Sequence, residues 1–209
     1  MRYWPIIICL HIPQVFLGQS FEGKIVYQVT YTSKIKGVTD AHFANAMGDR
    51  QEYYIQGGNY KSLMNGSVFQ WQLYLHADNK LYNKMSNNPS VLWIDGRKNK
   101  DTVFRSAMHF GAATVLGYSC DELVLYCRSG TEKYYFNAGL GVDPGAFSGH
   151  LYGNWYVIVS KARALPLKYT IDTPQYSVTA TAVSVTPGRL EAALFQLPKG
   201  AMLTPSPEN

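Results

Sequence analysis

Apolar and polar residues alternate in short runs along most of the chain. The run in the middle is the clearest: Leu123, Leu125 and Cys127 fall on one side of an extended segment, and Val124 and Tyr126 on the other. Ser129-Gly130-Thr131-Glu132 then turns the chain into a second segment, Lys133 to Asn137. Alternation on both sides of a glycine-bearing turn predicts a β-hairpin buried on at least one face. The same period opens the chain after residue 22, where Ile25, Tyr27, Val29 and Tyr31 alternate with Lys24, Val26, Gln28 and Thr30. From Arg50 to Asp95 it recurs as a meander, with strands expected at Glu52 to Ile55, Tyr60 to Met64, Val68 to Leu75, Lys80 to Met85 and Val91 to Ile94. Gly57-Gly58-Asn59, Asn65-Gly66, Ala77-Asp78-Asn79 and Asn87-Asn88-Pro89 separate them, and such turns join antiparallel neighbours.

Elsewhere the pattern is less decisive. Lys34 to Asp49 loses the period, and Ala41 to Met47 reads as a short helix or a loop. Thr102 to Met108 and Phe110 to Leu116 read as one strand each. Gly139 to Gly153 is glycine-rich, and Asp143-Pro144 can start a helical turn with proline at its first position. Trp155 to Ala164 fits helix or strand. Leu165 to Asp172 and Tyr176 to Val185 read as strands, Leu190 to Leu197 as the last strand, and the tail after Pro198 as frayed. No helical crossovers separate the strands, so the expected fold is mainly β (α+β): an antiparallel curved sheet or half-barrel with a few short helices on its concave side.

Composition adds a compartment. The 209 residues suffice for one sizeable domain and are short for two. Net charge is +5, but the basic residues are scattered and form no long run, so no nucleic-acid partner is expected. The sixteen tyrosines suit exposed antiparallel strands, where the ring packs and the hydroxyl stays wet. Met1-Arg2 precedes a mostly apolar run from Trp4 to Leu17, and Gly18 and Ser20 are small residues at the −3 and −1 positions for cleavage before Phe21. That pattern predicts a secretory signal peptide over residues 1–20 and a single β-rich domain over 21–209. Spanning a membrane takes about 20 apolar residues, and Pro5, His11 and Pro13 shorten this run, so no transmembrane segment is expected in the mature chain. The expected home is exported: periplasmic, outer-membrane-facing or secreted.

Cleavage removes Cys9 and leaves Cys120 and Cys127, an even count in an oxidising compartment. Residues seven apart on a straight strand point to opposite faces and lie about 23 Å apart, so the two thiols are expected unpaired. Only a bend or bulge near Asp121 would close the pair.

No reaction is written in the motifs. Gly117-Tyr118-Ser119-Cys120-Asp121 has half of a nucleophile elbow, and Gly145-Ala146-Phe147-Ser148-Gly149 is out of register for one. His42, His76, His109 and His150 lack zinc-site spacing and read as surface or loop residues. Cys120 would need a nearby base to act as a nucleophile. There is no phosphate loop or dinucleotide fingerprint, and no catalytic residue, metal ligand or cofactor is expected. The positive feature is aromatic. The alternation puts Phe69, Trp71, Leu73 and Leu75 on one face, with Gln70 and Gln72 opposite; Phe69, Trp71 and Leu73 with Trp93, Phe136 and Trp155 form the candidate ligand-binding set. Such residues make either an ordinary core or, where a curved sheet has more apolar face than its helices cover, a cavity for an apolar ligand.

Several separated segments also form an ordered set: Phe21-Glu22-Gly23-Lys24-Ile25, Gly58-Asn59-Tyr60-Lys61, Leu116-Gly117-Tyr118-Ser119-Cys120, Lys133-Tyr134-Tyr135-Phe136, Asp143-Pro144, Gly153-Asn154-Trp155, Leu165-Pro166-Leu167-Lys168-Tyr169 and Phe195-Gln196-Leu197-Pro198-Lys199-Gly200. In that order they resemble a secreted Bacteroidetes-type family of unknown function, which is similar to the Lol-type periplasmic lipoprotein carriers. Cys127 lies outside the pattern. The resemblance implies a half-barrel with helices across its concave side and an envelope location, and it brings no catalytic residues. The leading expectation is a non-enzymatic protein binding an apolar, lipid-like or lipidated ligand. The alternative is a structural or interaction module that meets another envelope protein. A hydrolase assembled from distant residues is the third reading.

Overall fold

The computed structural model describes residues 20–209. The signal peptide expected over residues 1–20 and Cys9 therefore lie, apart from Ser20, outside the described residues. The described residues form twelve strands: β1 (Gly23–Ser33), β2 (Arg50–Gln56), β3 (Asn59–Met64), β4 (Phe69–Leu75), β5 (Lys80–Met85), β6 (Val91–Asp95), β7 (Val103–Val115), β8 (Tyr118–Cys127), β9 (Thr131–Gly141), β10 (Ala164–Asp172), β11 (Tyr176–Pro187) and β12 (Leu203–Pro205). Two α-helices join them, α1 (Asp40–Met47) and α2 (Trp155–Ala162). All strands belong to one open, curled sheet in the order β12-β6-β5-β4-β3-β2-β1-β11-β10-β9-β8-β7. The expected mainly β class with a curved, mostly antiparallel sheet is what the chain adopts.

Local chemistry explains most of the elements. The turn residues expected between the meander strands separate β2 through β6, which pair in sequence order. Thr39 caps α1, its side chain accepting from the His42 amide, and Phe43 on that helix packs against Tyr31 and Tyr176. Asp143 accepts from the Gly145 amide and starts a 3₁₀ turn at Pro144–Phe147, as the Asp-Pro pair predicts. The buried aliphatic side chains Ile158 and Val159 anchor α2 to the sheet, so the segment that fitted helix or strand is helix.

Four expectations are corrected. Residues 102–116 are not two strands but one long strand, β7, with a register irregularity between His109 and Ala113. Leu190 to Leu197 does not form the last strand; it holds a 3₁₀ turn at Ala192–Phe195. The tail after Pro198 is not frayed, because Leu203, Thr204 and Pro205 pair in parallel with Val91, Leu92 and Trp93 of β6. Its apolar residues are too sparse for alternation to reveal, and β6 supplies the hydrogen-bonding edge that orders them. The tyrosines also differ from expectation: Tyr27, Tyr60, Tyr74, Tyr82 and Tyr134 are buried, not wet.

Cys120 and Cys127 are free and buried, in different apolar clusters. Alkylation of the protein, denatured without reductant, is expected to modify both. Protection of the two together would show a bond between them and a bent β8.

Candidate functional site

The sheet's inner face is built in phase with the β1 alternation. Ile25, Tyr27 and Val29 belong to the same apolar cluster as Ile55 of β2, Tyr60 of β3, Tyr74 of β4, Leu81 of β5 and Ile94 of β6. Leu165 and Leu167 of β10 close that cluster on the far side of β11. Helix α2 and the segment before it lie across this face, with Trp155 and Tyr152 packed against it. Coverage is incomplete. A cavity of about 230 Å³ remains, with Tyr27, Tyr53, Tyr60, Tyr134 and Tyr169 contributed by strands and Trp155 and Ile158 by the helix.

The rings are mutually packed. Tyr53 and Tyr60 stack at 5.3 Å between centroids, as do Tyr60 and Tyr74, and His150 stacks on Tyr74 at 4.1 Å. Trp155 lies 5.7 Å from Tyr60, 6.5 Å from Tyr53 and 6.4 Å from His150. Most polar tips are tied down by the protein. The Tyr27 hydroxyl donates to the Pro166 carbonyl, Tyr169 to Gln51 Oε1, and Gln51 Nε2 to the Ser62 hydroxyl. Tyr60 Oη and His150 Nε2 are 2.8 Å apart. Among the described residues, three buried atoms of cavity-lining side chains have no hydrogen-bond partner: Tyr53 Oη, Trp155 Nε1 and His150 Nδ1, each with almost no accessible surface of its own.

The cavity is electrically neutral near pH 7. Burial pushes Tyr27, Tyr53, Tyr60 and Tyr134 well above the ordinary phenol value. Burial alone pushes His150 down to about 3, so its ring carries no charge. Among the described residues no Lys, Arg, Asp or Glu lines the space.

A second polar cluster lies where β8 turns into β9. One ligand atom each from Asp101, Cys127 and Glu132 fall within 4.8 Å of one another, so these described residues have the placement to hold a metal ion. Their own hydrogen bonds account for the cluster. Tyr134 donates to Glu132 at 3.0 Å, Asn154 reaches Asp101 and Cys127, and the Ser129 hydroxyl donates to Asp101. Burial, reinforced by the Asp101 charge, raises Glu132 to about 7. Burial first, then the two carboxylates, pushes Cys127 up to about 12, and burial also raises Cys120. Both thiols stay protonated at neutral pH, which works against either acting as a nucleophile.

The six residues of the candidate set do not share a surface. Trp71, Leu73 and Trp93 sit with Tyr82 and Val91 on the opposite, outer face, where Phe195, Leu197 and Ala201 of the tail pack over them. A bulge between Phe69 and Trp71 sets Phe69 opposite Met85 but Trp71 opposite Lys84, so Phe69 parts from the other two. Phe136 is buried core beside Leu123, Leu125 and Ile158. Trp155 alone of the six lines the cavity. Gln72, expected on the solvated side, lines it instead. His150, expected at the surface, is 1 % exposed. The usable signal was the tyrosines in phase with Ile25, Val29 and Ile55; no local pattern marks His150.

No family model matches the chain, and no curated protein matches it. Solved structures similar to it include PNGF-II in space group C2, at 12% identity and a TM-score of 0.45, matched over 88% of this chain and 31% of that one. PNGF-II in space group P21 gives 13% identity, a TM-score of 0.44 and coverage of 88% and 32%. The chain thus spans about a third of the length of the PNGF-II chains it resembles.

Proposed function

We propose that this chain is a non-catalytic, exported envelope protein that holds the apolar part of a lipid-like or lipidated ligand beneath α2. The observation that carries the reading is the aromatic cavity between helix and sheet, which no charged side chain among the described residues lines. Rings in a neutral, half-enclosed space favour an apolar guest, and covering their surface is worth about 25 cal/mol per Å². Size sets the scale. An apolar cavity of about 150 Å³ holds benzene, so 230 Å³ takes one ring or a short alkyl end, with the rest of a larger ligand outside. The expected partner is therefore a lipid or lipidated protein that inserts one small terminus. Among the described residues no helix is long and apolar enough to cross a membrane.

Native mass spectrometry of gently purified protein, paired with titration of a short-chain fluorescent lipid, tests the proposal. Co-purified mass or saturable binding is expected, and Ile158→Trp, which fills the space from α2, is expected to weaken binding at least tenfold. Absence of both signals would leave a structural module as the better reading. One feature favours that alternative: β7 is an outer edge of the sheet and exposes Phe104 and Phe110.

A further inference from the structure

Strand β7 ends the sheet, and among the described residues no strand pairs with its outer edge. Such an edge is a template for another strand, and bulges are one way of blunting it. Here the irregularities leave a regular stretch between them. The register to β8 slips between Val103 and Arg105 and again between His109 and Ala113, while Arg105 through His109 pair without a break with Tyr126 through Glu122. The stretch holds no proline and is centred on Ala107, a small residue that lets another backbone come close. Phe104 and Phe110 flank it, 68 % and 82 % exposed. Arg105 and His109, four apart on the strand, end it on one face of the sheet. The Arg105 guanidinium lies 4.2 Å from the centre of the Tyr126 ring and has no acidic partner among the described residues. His109 Nδ1 is 2.6 Å from the Glu122 carboxylate.

We propose that this stretch is a dimer interface: β7 pairs antiparallel with β7 of a second copy of the chain, about a two-fold axis through Ala107. The order of the residues favours a second copy over a foreign strand. Pairing about that axis sets Ala107 opposite Ala107, Ser106 opposite Met108 and Arg105 opposite His109, so each feature meets its own counterpart, as a two-fold interface requires. Arg105, without an acid in its own chain, then lies across from the His109–Glu122 pair of the other copy, and opposite charges on facing strands attract. Phe104 of each copy takes the next position outward, beside Phe110 of the other, and both rings lose contact with water. Five edge residues and two rings a side make less than a standard interface, so the expected dissociation constant is on the order of tens of micromolar. The inference is independent of what the cavity holds.

Sedimentation velocity of the purified protein, at concentrations up to well above that value, tests the interface. A reversible shift from monomer to dimer is expected. Arg105→Glu sets like charges across the axis, twice in each dimer, and is expected to weaken association about tenfold. Ala107→Glu puts two carboxylates directly opposite each other and is expected to leave only monomer, with an unchanged circular dichroism spectrum. Cross-linking reads the register separately. Facing residues in an antiparallel pair have Cα atoms about 4.5–5.5 Å apart, within reach of a disulfide. Ala107→Cys should therefore form a covalent dimer in oxidised glutathione, while Thr114→Cys, exposed on the same strand but well away from the axis, should not. The native Cys120 and Cys127 are buried and stay out of the reaction. Monomer at every concentration would overturn the proposal, as would equal cross-linking of the two cysteine variants. A dimer that survives Ala107→Glu would overturn it too, by placing the contact elsewhere.

Discussion

Stability should be nearly independent of pH between about 4.5 and 6.5, and two single substitutions should tilt it in opposite directions. Glu132 has an ordinary carboxyl value of 4.5 and is raised in the fold to about 7, chiefly by burial. The native state therefore holds its proton where the unfolded chain has released it. This contribution is fully present below pH 4.5 and is lost as pH rises through 7. His150 runs the other way. Its ordinary value is 6.5 and burial lowers it to about 3, so the native state refuses a proton that the unfolded chain accepts. That contribution is present above 6.5 and is lost as pH falls through 3. Each group alone gives a slope of about 1.4 kcal/mol per pH unit. Over the shared window the slopes cancel. The exposed ion-paired carboxylates do not disturb this, since Glu52 and Asp95 are lowered to about 2 by their Lys24 and Arg97 partners and act below the window. Glu132→Gln keeps an acceptor for Tyr134, and its stability is expected to rise by roughly 2–3 kcal/mol from pH 4.5 to 6.5. His150→Phe keeps a ring in the stack, and its stability is expected to fall by a similar amount over the same range. Urea unfolding followed by circular dichroism at three pH values measures the slopes, whatever each variant's absolute stability. A flat profile for His150→Phe would show that the Glu132 carboxyl is not held protonated, and a flat profile for Glu132→Gln would show that the His150 ring is not held neutral.

Ending the chain after Arg189 is expected to be at least as disruptive. The removed residues cover Leu73, Tyr82 and Val91 with Phe195, Leu197 and Ala201. They also add β12 to the β6 edge, and Asn209 bonds to the Trp93 carbonyl and the Asp95 amide. Half-burying two large side chains stabilises the fold by about 1–1.5 kcal/mol each, and the edge hydrogen bonds add to this, so the total loss should be about 3 kcal/mol. Trp71 and Trp93 should become wetter, shifting tryptophan emission to longer wavelength. Phe195→Ala with Leu197→Ala in the full-length chain should give part of the same loss without removing β12. If truncation leaves the denaturation midpoint and the emission unchanged, the tail does not hold the outer face.

The two results bear on how much of this protein is local. The meander, the β8–β9 hairpin and the Asp143-Pro144 turn follow from residues close in sequence. Period-two alternation and turn chemistry decide them, and they formed where the pattern placed them. The unpaired thiols were legible for the same reason: seven positions along an extended strand is too far to bridge.

The cavity was not legible in that way. Alternation says which residues of a strand share a face, but not which face the sheet curls around or what will cover it. Phe69, Trp71 and Leu73 made the more apolar face of β4, which suggested the inside. Yet Gln72 and Tyr74 point inward, and the bulge after Phe69 breaks the phase. Distant chain decides both questions. The tail seals the outer face from more than a hundred residues away, and the loop ahead of α2 carries His150 onto Tyr60 and Tyr74. The sequence by itself determined the strands, their turns and their two-sided character, because those depend on steric and solvation preferences of neighbouring residues. Only the tertiary structure decided the inside, the covering of each face and the charge state of the buried groups, because these depend on which remote segments exclude water from them.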